Sequence, residues 1–294
     1  MSKQRVLDEM AREGVDVLLL GREGNARYVS GANRLFLAGE RAFAPGCVVV
    51  ANTSAVHVLS VTDFGVPPAV SHADLYPPSW NPATTVARVA ALPGVATAAR
   101  VGVDGLTPLF EALVTTSLPR AELVDGEAVM RAARRVKSAD DLARIREAAA
   151  VAQAMMSAAL DAVGTGVEDA TVKAIAMEAM ATAGASTFAF EPRVQRSGDS
   201  VTVAVGALFN GWEADLTRTV PGPTRPDALV AAIDRCRAGL TVSDIGTDVH
   251  GVGLGYEVLL PSESLESGMV LSVGIEAARD TVLVTGGAPE LLTT

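Results

Sequence analysis

The chain has 294 residues, 49% of them hydrophobic and 20% charged, with a formal net charge of -10. That length allows two domains, and the composition supports a packed core and argues against global disorder. The acidic balance also argues against nucleic acid or an anionic membrane as partner, because phosphate binding needs clustered Lys and Arg.

The N-terminal half alternates helix and strand signals. Gln4 to Glu13 reads as a helix stopped by Gly14, and Val15 to Leu20 as a buried strand. Cys47 to Val50 and Val56 to Leu59 read as strands joined by a turn at Asn52-Thr53-Ser54. Thr84 to Leu92 predicts a helix ended by Pro93-Gly94, and Val101 to Val103, Pro108 to Leu113 and Ala121 to Val124 then read as strand, helix, strand. This alternation predicts a sheet with covering helices. Arg131, Arg134, Arg135 and Lys137, followed by Asp140 and Asp141, form the densest basic cluster and read as a solvated linker.

Beyond it the period becomes helical. Ser138 with Asp141 makes a capping pair, and Leu142, Ile145, Ala149, Ala152, Met156, Ala159 and Val163 fall on one helical face, ended by Gly164. Thr165 with Glu168 repeats the capping arrangement before a second stripe at Val172, Ile175, Ala176 and Ala179, closed by Gly184. Met155, Met156, Met177 and Met180 read as core filler. Ser200 to Gly206 and Leu216 to Val220 flank Asn210-Gly211, a hairpin turn signal. Pro226 to Arg237 predicts a helix, and Met269 to Val273 and Thr281 to Val284 predict strands.

Cys47 and Cys236 cannot make a disulfide framework, and Cys47 sits in an apolar run that reads as buried core. The opening MSKQRVLDEMAREG is charged and amphipathic rather than a secretory signal, and no apolar stretch reaches the length of a membrane span. A soluble, cytoplasmic protein is expected.

Five features stand in order along the chain: Asn25-Ala26-Arg27-Tyr28-Val29-Ser30-Gly31, of the form Asn-x-x-Tyr-x-x-Gly; Arg135-Val136-Lys137-Ser138 before a long helix; Gly211 to Thr219, close to Gly-Tyr-x-x-Asp-x-Thr-Arg-Thr; His250-Gly251-Val252-Gly253-Leu254, of the form His-Gly-x-Gly-Leu; and the strand signals Gly268 to Leu271 and Asp280 to Thr285. Together they resemble the creatinase/Xaa-Pro dipeptidase/methionine aminopeptidase superfamily, being similar in turn to a segment of its N-terminal domains, its interdomain junction, its Asp-bearing strand pair, its metal-ligand turn and its two closing strands. The resemblance implies an α/β (α+β) fold, with a creatinase-like α/β domain over residues 1–134 and a pita-bread domain over 135–294. It also implies a homodimer as the expected assembly.

In that family two metal ions are held by two Asp, one His and two Glu, and the pair stabilises both the attacking hydroxide and the developing oxyanion. Carried over position by position, Asp215 and His250 are retained as metal-ligand positions. The first Asp position is Ala204, in Ala204-Val205-Gly206; the first Glu position is Gly274; the last Glu position is Arg279. The acids available to stand in are Glu213, Glu257, Glu276 and Asp280, so a divalent Mn, Co or Zn is expected only if displaced ligands such as Glu276 contribute. The family's substrate-side histidines are also missing: Phe188 to Arg193 leads to Ser197-Gly198-Asp199 without a His, and Glu257 stands near the place of the other.

His250 is the candidate acid/base, with Glu257, in an apolar run, as its candidate catalytic partner. Asp215, Arg218 and Tyr256 are the expected pocket residues, with a structural role for Arg218 in holding the hairpin also weighed. Arg27, Arg34, Glu40 and Arg41 read as solvated loop, although such loops approach the neighbouring active site in creatinase-like dimers. The losses predict a non-catalytic or weakly active pseudoenzyme that binds a small molecule or peptide. The alternatives are a metal-independent C–N hydrolase on this fold, by analogy with creatinase, and a metal-dependent Xaa-Pro peptidase with displaced ligands.

Overall fold

The apolar runs of the N-terminal half pair into a mixed sheet. In the computed structural model, which describes residues 2–32 and 45–294, the chain divides into two compact units, Met1–Arg134 and Arg135–Thr294. The first contains α1 (Ser2–Glu13), β1 (Val17–Leu20), α2 (Glu23–Ser30), β2 (Cys47–Val50), β3 (Ala55–Leu59), β4 (Leu75–Tyr76), α3 (Pro82–Ala90), β5 (Arg100–Val103), α4 (Pro108–Ser117) and β6 (Glu122–Asp125), with α5 (Gly126–Arg135) closing it. Its described strands form a six-stranded sheet in the order β4-β3-β2-β1-β5-β6. Every residue of β1 and β2 is buried, as expected of central strands covered on both faces. Val17, Leu19, Val48 and Val50 pack against Val86 and Val89 of α3 and Phe110 and Val114 of α4.

The Asn-x-x-Tyr segment is not a loop. It forms α2, ended by Gly31 at φ 71°, where a left-handed residue costs least as glycine. Asn25 is fully buried, and its Nδ2 donates to Asp104 Oδ2 at 2.7 Å and to Glu127 Oε2 at 2.7 Å. Asp104 also accepts from the backbone N–H groups of Gly21 and Arg22 at the start of α2. The Tyr28 hydroxyl donates to the Ala133 carbonyl on α5 at 3.0 Å. Arg27, expected on a loop, lies on α2 in an ion pair with Glu23; Arg34, Glu40 and Arg41 fall outside the described residues.

The stretch expected to be a solvated linker is helical through Arg135, and three of its charged residues, Arg134, Lys137 and Asp141, are buried. Arg134 is buried with Glu127 at 3.7 Å, and Lys137 is buried with Glu257 at 2.7 Å. Arg135 pairs with Glu263 at 2.9 Å. The boundary between the two units does fall here, after Arg134, but the stretch is not simply solvated: charge density alone does not reveal Glu257 and Glu263, which are distant in sequence but adjacent in space.

The second unit opens with α6 (Ala139–Gly164) and α7 (Asp169–Thr182). Ser138 and Asp141 form a reciprocal capping box on α6. Its alanine-rich face, with Ile145, Met155 and Met156, is buried against β8 (Ser200–Phe209) and β9 (Trp212–Val220). The second expected cap is corrected: the Thr165 hydroxyl donates back to Ala162 O and closes α6, while Glu168 precedes α7 without a side-chain cap. Met177 is likewise partly exposed rather than core.

The remaining elements are β7 (Thr187–Ser197), α8 (Asp227–Ile233), α9 (Val242–Ile245), β10 (Asp248–Gly253), β11 (Gly255–Glu257), β12 (Val270–Ile275), β13 (Ala278–Leu283) and β14 (Glu290–Leu291). Helix α8 is shorter than the Pro226 to Arg237 reading. The strands run in the order β11-β10-β12-β13-β9-β8-β7, with β14 also on β13. Asn210 and Gly211, at φ 51° and 84°, form the tight β8–β9 turn that their sequence predicts. Helices α8 and α9 pack on Leu271, Val273 and Val282, on one face of β12 and β13. Alternation therefore turns Ser272, Gly274, Arg279 and Thr281 to the other face.

Candidate functional site

Strand register decides which side chains share that open face. Cross-strand partners run laterally from Asp248 to Gly274, Arg279, Thr217, Ala204 and Arg193, one row over six strands. The next row contains His250, Ser272 and Thr281 on β10, β12 and β13 and Asp215, Gly206 and Phe190 on β9, β8 and β7. The two halves of this second row are joined where the Asp215 N–H donates to Thr281 Oγ1 at 3.2 Å and that hydroxyl donates to Asp215 O at 3.0 Å.

Two adjoining cavities lie along these rows. One, of about 420 Å³, is lined by Glu213, Asp215, Asp248, His250, Tyr256 and Arg279 among others. The other, of about 400 Å³, lies over Ala204, Thr217, Gly274 and Glu276 and shares Arg193, Asp248 and Arg279 with the first.

Arg279 is the dominant charge of the site. Its guanidinium pairs with Asp248, lies 3.8 Å from Asp215 Oδ2 and donates to Ser272 Oγ at 2.9 Å. A Cβ on Gly274 would stand 2.5 Å from the Arg279 Cζ, so the guanidinium occupies the space that a side chain at 274 would need. Arg193 reaches in from β7, its guanidinium 4.9 Å over the Phe190 ring.

His250 stacks on the exposed Tyr256 ring, with centroids 4.6 Å apart. Its Nε2 is buried without a hydrogen-bond partner and lies 4.0 Å from Glu213 Oε1. Burial holds the imidazole pKa below its ordinary value; the Arg279 charge adds to this, while Asp215 and Asp248 oppose it. Glu213 is pushed up to about 8, first by burial and then by the negative charges of Asp215 and Glu257. At neutral pH the site therefore holds a protonated carboxyl beside a neutral imidazole.

Asp215, His250 and Tyr256 thus meet at one cavity. Glu257 and Arg218 do not. Glu257 is the register partner of Gly251, which alternates with His250, so its side chain projects from the opposite face of the β10–β11 ribbon. There it pairs with Lys137 at 2.7 Å, and a Cβ on Gly253 would collide with its Oε1. The expected pairing of Glu257 with His250 is therefore corrected by strand alternation. Arg218 alternates with Thr217 and lies on the helix-covered face, donating to Asp280 Oδ1 at 2.6 Å. The fully buried Asp280 also accepts from Arg225 Nε at 2.9 Å and Thr293 Oγ1 at 2.9 Å. Arg218 is thus a structural anchor, and Asp280 is not available as a ligand.

Residues 3–136 match the creatinase/prolidase N-terminal domain family. The whole chain superposes on the prolidase from Pyrococcus furiosus with a TM-score of 0.79 at 19% identity, covering 99% of this chain and 98% of that one. This chain has the creatinase/prolidase fold. The Xaa-Pro dipeptidase from Bacillus anthracis gives 0.78 at 18% identity, covering 100% and 97%. The dipeptidase from Mycobacterium ulcerans gives 0.75 at 21% identity, covering 100% and 95%. No curated protein matches the chain in sequence. Among the described residues, no helix is long and apolar enough to cross a membrane.

The metal pair implied by the creatinase/prolidase resemblance does not fit the residues present. Among the described residues, no three Asp, Glu, His or Cys side chains group to hold an ion. A guanidinium already lies against Asp215, and the candidate stand-in Glu276 is exposed beside the second cavity. Sequence reasoning did not place Asp248 or Arg193 in the site and left Glu213 only as a spare acid. Two of these were within reach of alternation, since Glu213 and Asp248 each stand two residues before a retained position.

Proposed function

We propose that this creatinase/prolidase-fold protein is a metal-free binding protein that does not hydrolyse Xaa-Pro dipeptides. The carrying observation is the ion-paired guanidinium of Arg279 at a position where the resemblance expects a ligand carboxylate. A cation there opposes divalent binding, and Ala204 and Gly274 supply no compensating oxygen. Without a metal-activated hydroxide and its oxyanion clamp, the large rate terms of amide hydrolysis are missing; loss of one oxyanion donor alone costs about 10²–10³ in rate. The cavities are of small-molecule size, and their mixed lining of charges, hydroxyls and aromatic rings suits a small polar molecule or short peptide. Its two buried, unpaired cysteines suit a reducing, cytoplasmic setting.

A second reading rests on the approach of Glu213 to His250 at 4.0 Å. A protonated carboxyl and a neutral imidazole facing one cavity can serve as general acid and base for metal-independent C–N cleavage. The experiment is an assay of purified protein on Xaa-Pro dipeptides, creatine-like amidines and small amides, with and without chelator. The binding-protein reading expects no turnover. Turnover that survives chelator and is lost in Glu213→Gln establishes the second reading, and turnover that chelator abolishes refutes both.

A further inference from the structure

We infer that Arg279 is a tethered cation standing in for bound metal, and that it keeps divalent ions out of a site whose remaining acids would otherwise attract them. The inference deepens the binding-protein reading and rests on it for the expectation that metal is dispensable. Its basis is the lateral row. The lost ligand positions Ala204, Gly274 and Arg279 all fall in one row across the sheet, while the retained Asp215 and His250 fall together in the next.

The changes within that row fit one another. A side chain at 274 would displace the guanidinium, and glycine removes it. Asp248, at the other side of Gly274, supplies a carboxylate to the guanidinium, and Ser272 supplies a hydroxyl acceptor. Asp215 keeps its carboxylate and faces the same positive charge. One covalently attached charge thereby balances acids from β9 and β10, and it does so without an open coordination position. Unlike a metal ion, it cannot dissociate, be exchanged or activate a water.

The test titrates Mn²⁺ into the full chain and follows the six-line electron paramagnetic resonance of the free ion, which binding removes. The wild-type protein and Arg279→Lys should leave the signal essentially intact, whereas Arg279→Glu should bind Mn²⁺ at least about 100-fold more tightly, because a repelling cation becomes an added carboxylate. Equal Mn²⁺ affinity in the wild type and Arg279→Glu overturns the inference, as does an Arg279→Lys variant that binds like Arg279→Glu. A second measurement stands if Arg279→Glu does not fold. In the ¹⁵N spectrum of the wild type, the Arg279 Nε–H resonance should persist at one equivalent of Mn²⁺, and its selective paramagnetic loss overturns the inference. Metal binding read this way is independent of turnover: a wild type that cleaves amides with chelator present refutes the binding-protein reading and leaves the tethered cation standing.

Discussion

The Arg279 guanidinium lies over Gly274, its neighbour across the β12–β13 ladder, close enough that a single added methyl would meet Cζ at 2.5 Å. Gly274→Ala should therefore act through Arg279 rather than through the backbone. The expected loss is about 1–3 kcal/mol, the scale of broken charge-assisted hydrogen bonds. In a double-mutant cycle, Gly274→Ala should cost much less once Arg279→Ala is present. Additive losses in urea unfolding would show that the two positions are not coupled.

Glu213 gives the site a pH signature. Its folded pKa, near 8, stands above the ordinary 4.5, so its contribution to stability is full below about pH 4.5 and is lost as pH rises toward 8. His250, with a lowered pKa, works in the opposite direction and loses stability as pH falls below the ordinary 6.5. Comparing wild type with Glu213→Gln isolates the first effect. The variant should gain in melting temperature relative to wild type as pH increases from 5 to 8.5, and a difference independent of pH would contradict the assignment.

Asp280 should be among the most sensitive positions of the second unit. It is fully buried and bound by Arg218, Arg225 and Thr293. Asp280→Ala leaves two arginines around an empty anion position, with an expected cost of about 3–5 kcal/mol. Denaturant unfolding measures this directly, and a loss below 1 kcal/mol would mean that the cluster is not a structural anchor.

The Lys137–Glu257 pair should report on folding rather than chemistry. Lys137→Met strands a carboxylate whose Oε1 is already without a partner, and should destabilise by more than about 2 kcal/mol. Adding Glu257→Gln should recover part of that loss by removing the stranded charge. If Glu257→Gln instead abolished a measurable turnover without lowering the melting temperature, its assignment to the far face of the β10–β11 ribbon would be in error.

In the N-terminal unit, Asn25→Asp would replace the amide shared by Asp104 and Glu127 with a third carboxyl. Burial already raises the Asp104 pKa. The variant should lose stability at pH 7 and recover part of it at pH 5, because a proton returned to the cluster restores a donor. A deficit that grew on acidification would refute this arrangement.

Much of the architecture was readable because it rests on local signals. The Ser138–Asp141 cap, the Asn210-Gly211 turn and the apolar runs of β1 and β2 specify their own conformations. The convergence of Asp215 and His250 on one cavity was carried by the ordered motifs. Facing was harder to read. Assigning Glu257 and Arg218 to the pocket required knowing which side each strand presents, and a shift of one residue reverses it. Helix α5 was hidden because its last basic residue, Arg135, finds its acids Glu263 and Glu266 only after folding. The coupling of Gly274 to Arg279 is invisible in a linear motif because register, not sequence spacing, brings the two together.

The Asn25 and Tyr28 contacts carry a consequence for motion within the first unit. Two side chains from successive turns of α2 fasten that helix to Glu127 and Ala133 on α5, and Asn25 also ties it to Asp104 just beyond β5. Neither helix can lift away without breaking both attachments, so the two should open together as one cooperative unit. Amide deuteration of α2 and α5 should consequently advance at a common rate, and Tyr28→Phe should accelerate both helices alike, far from the residue changed.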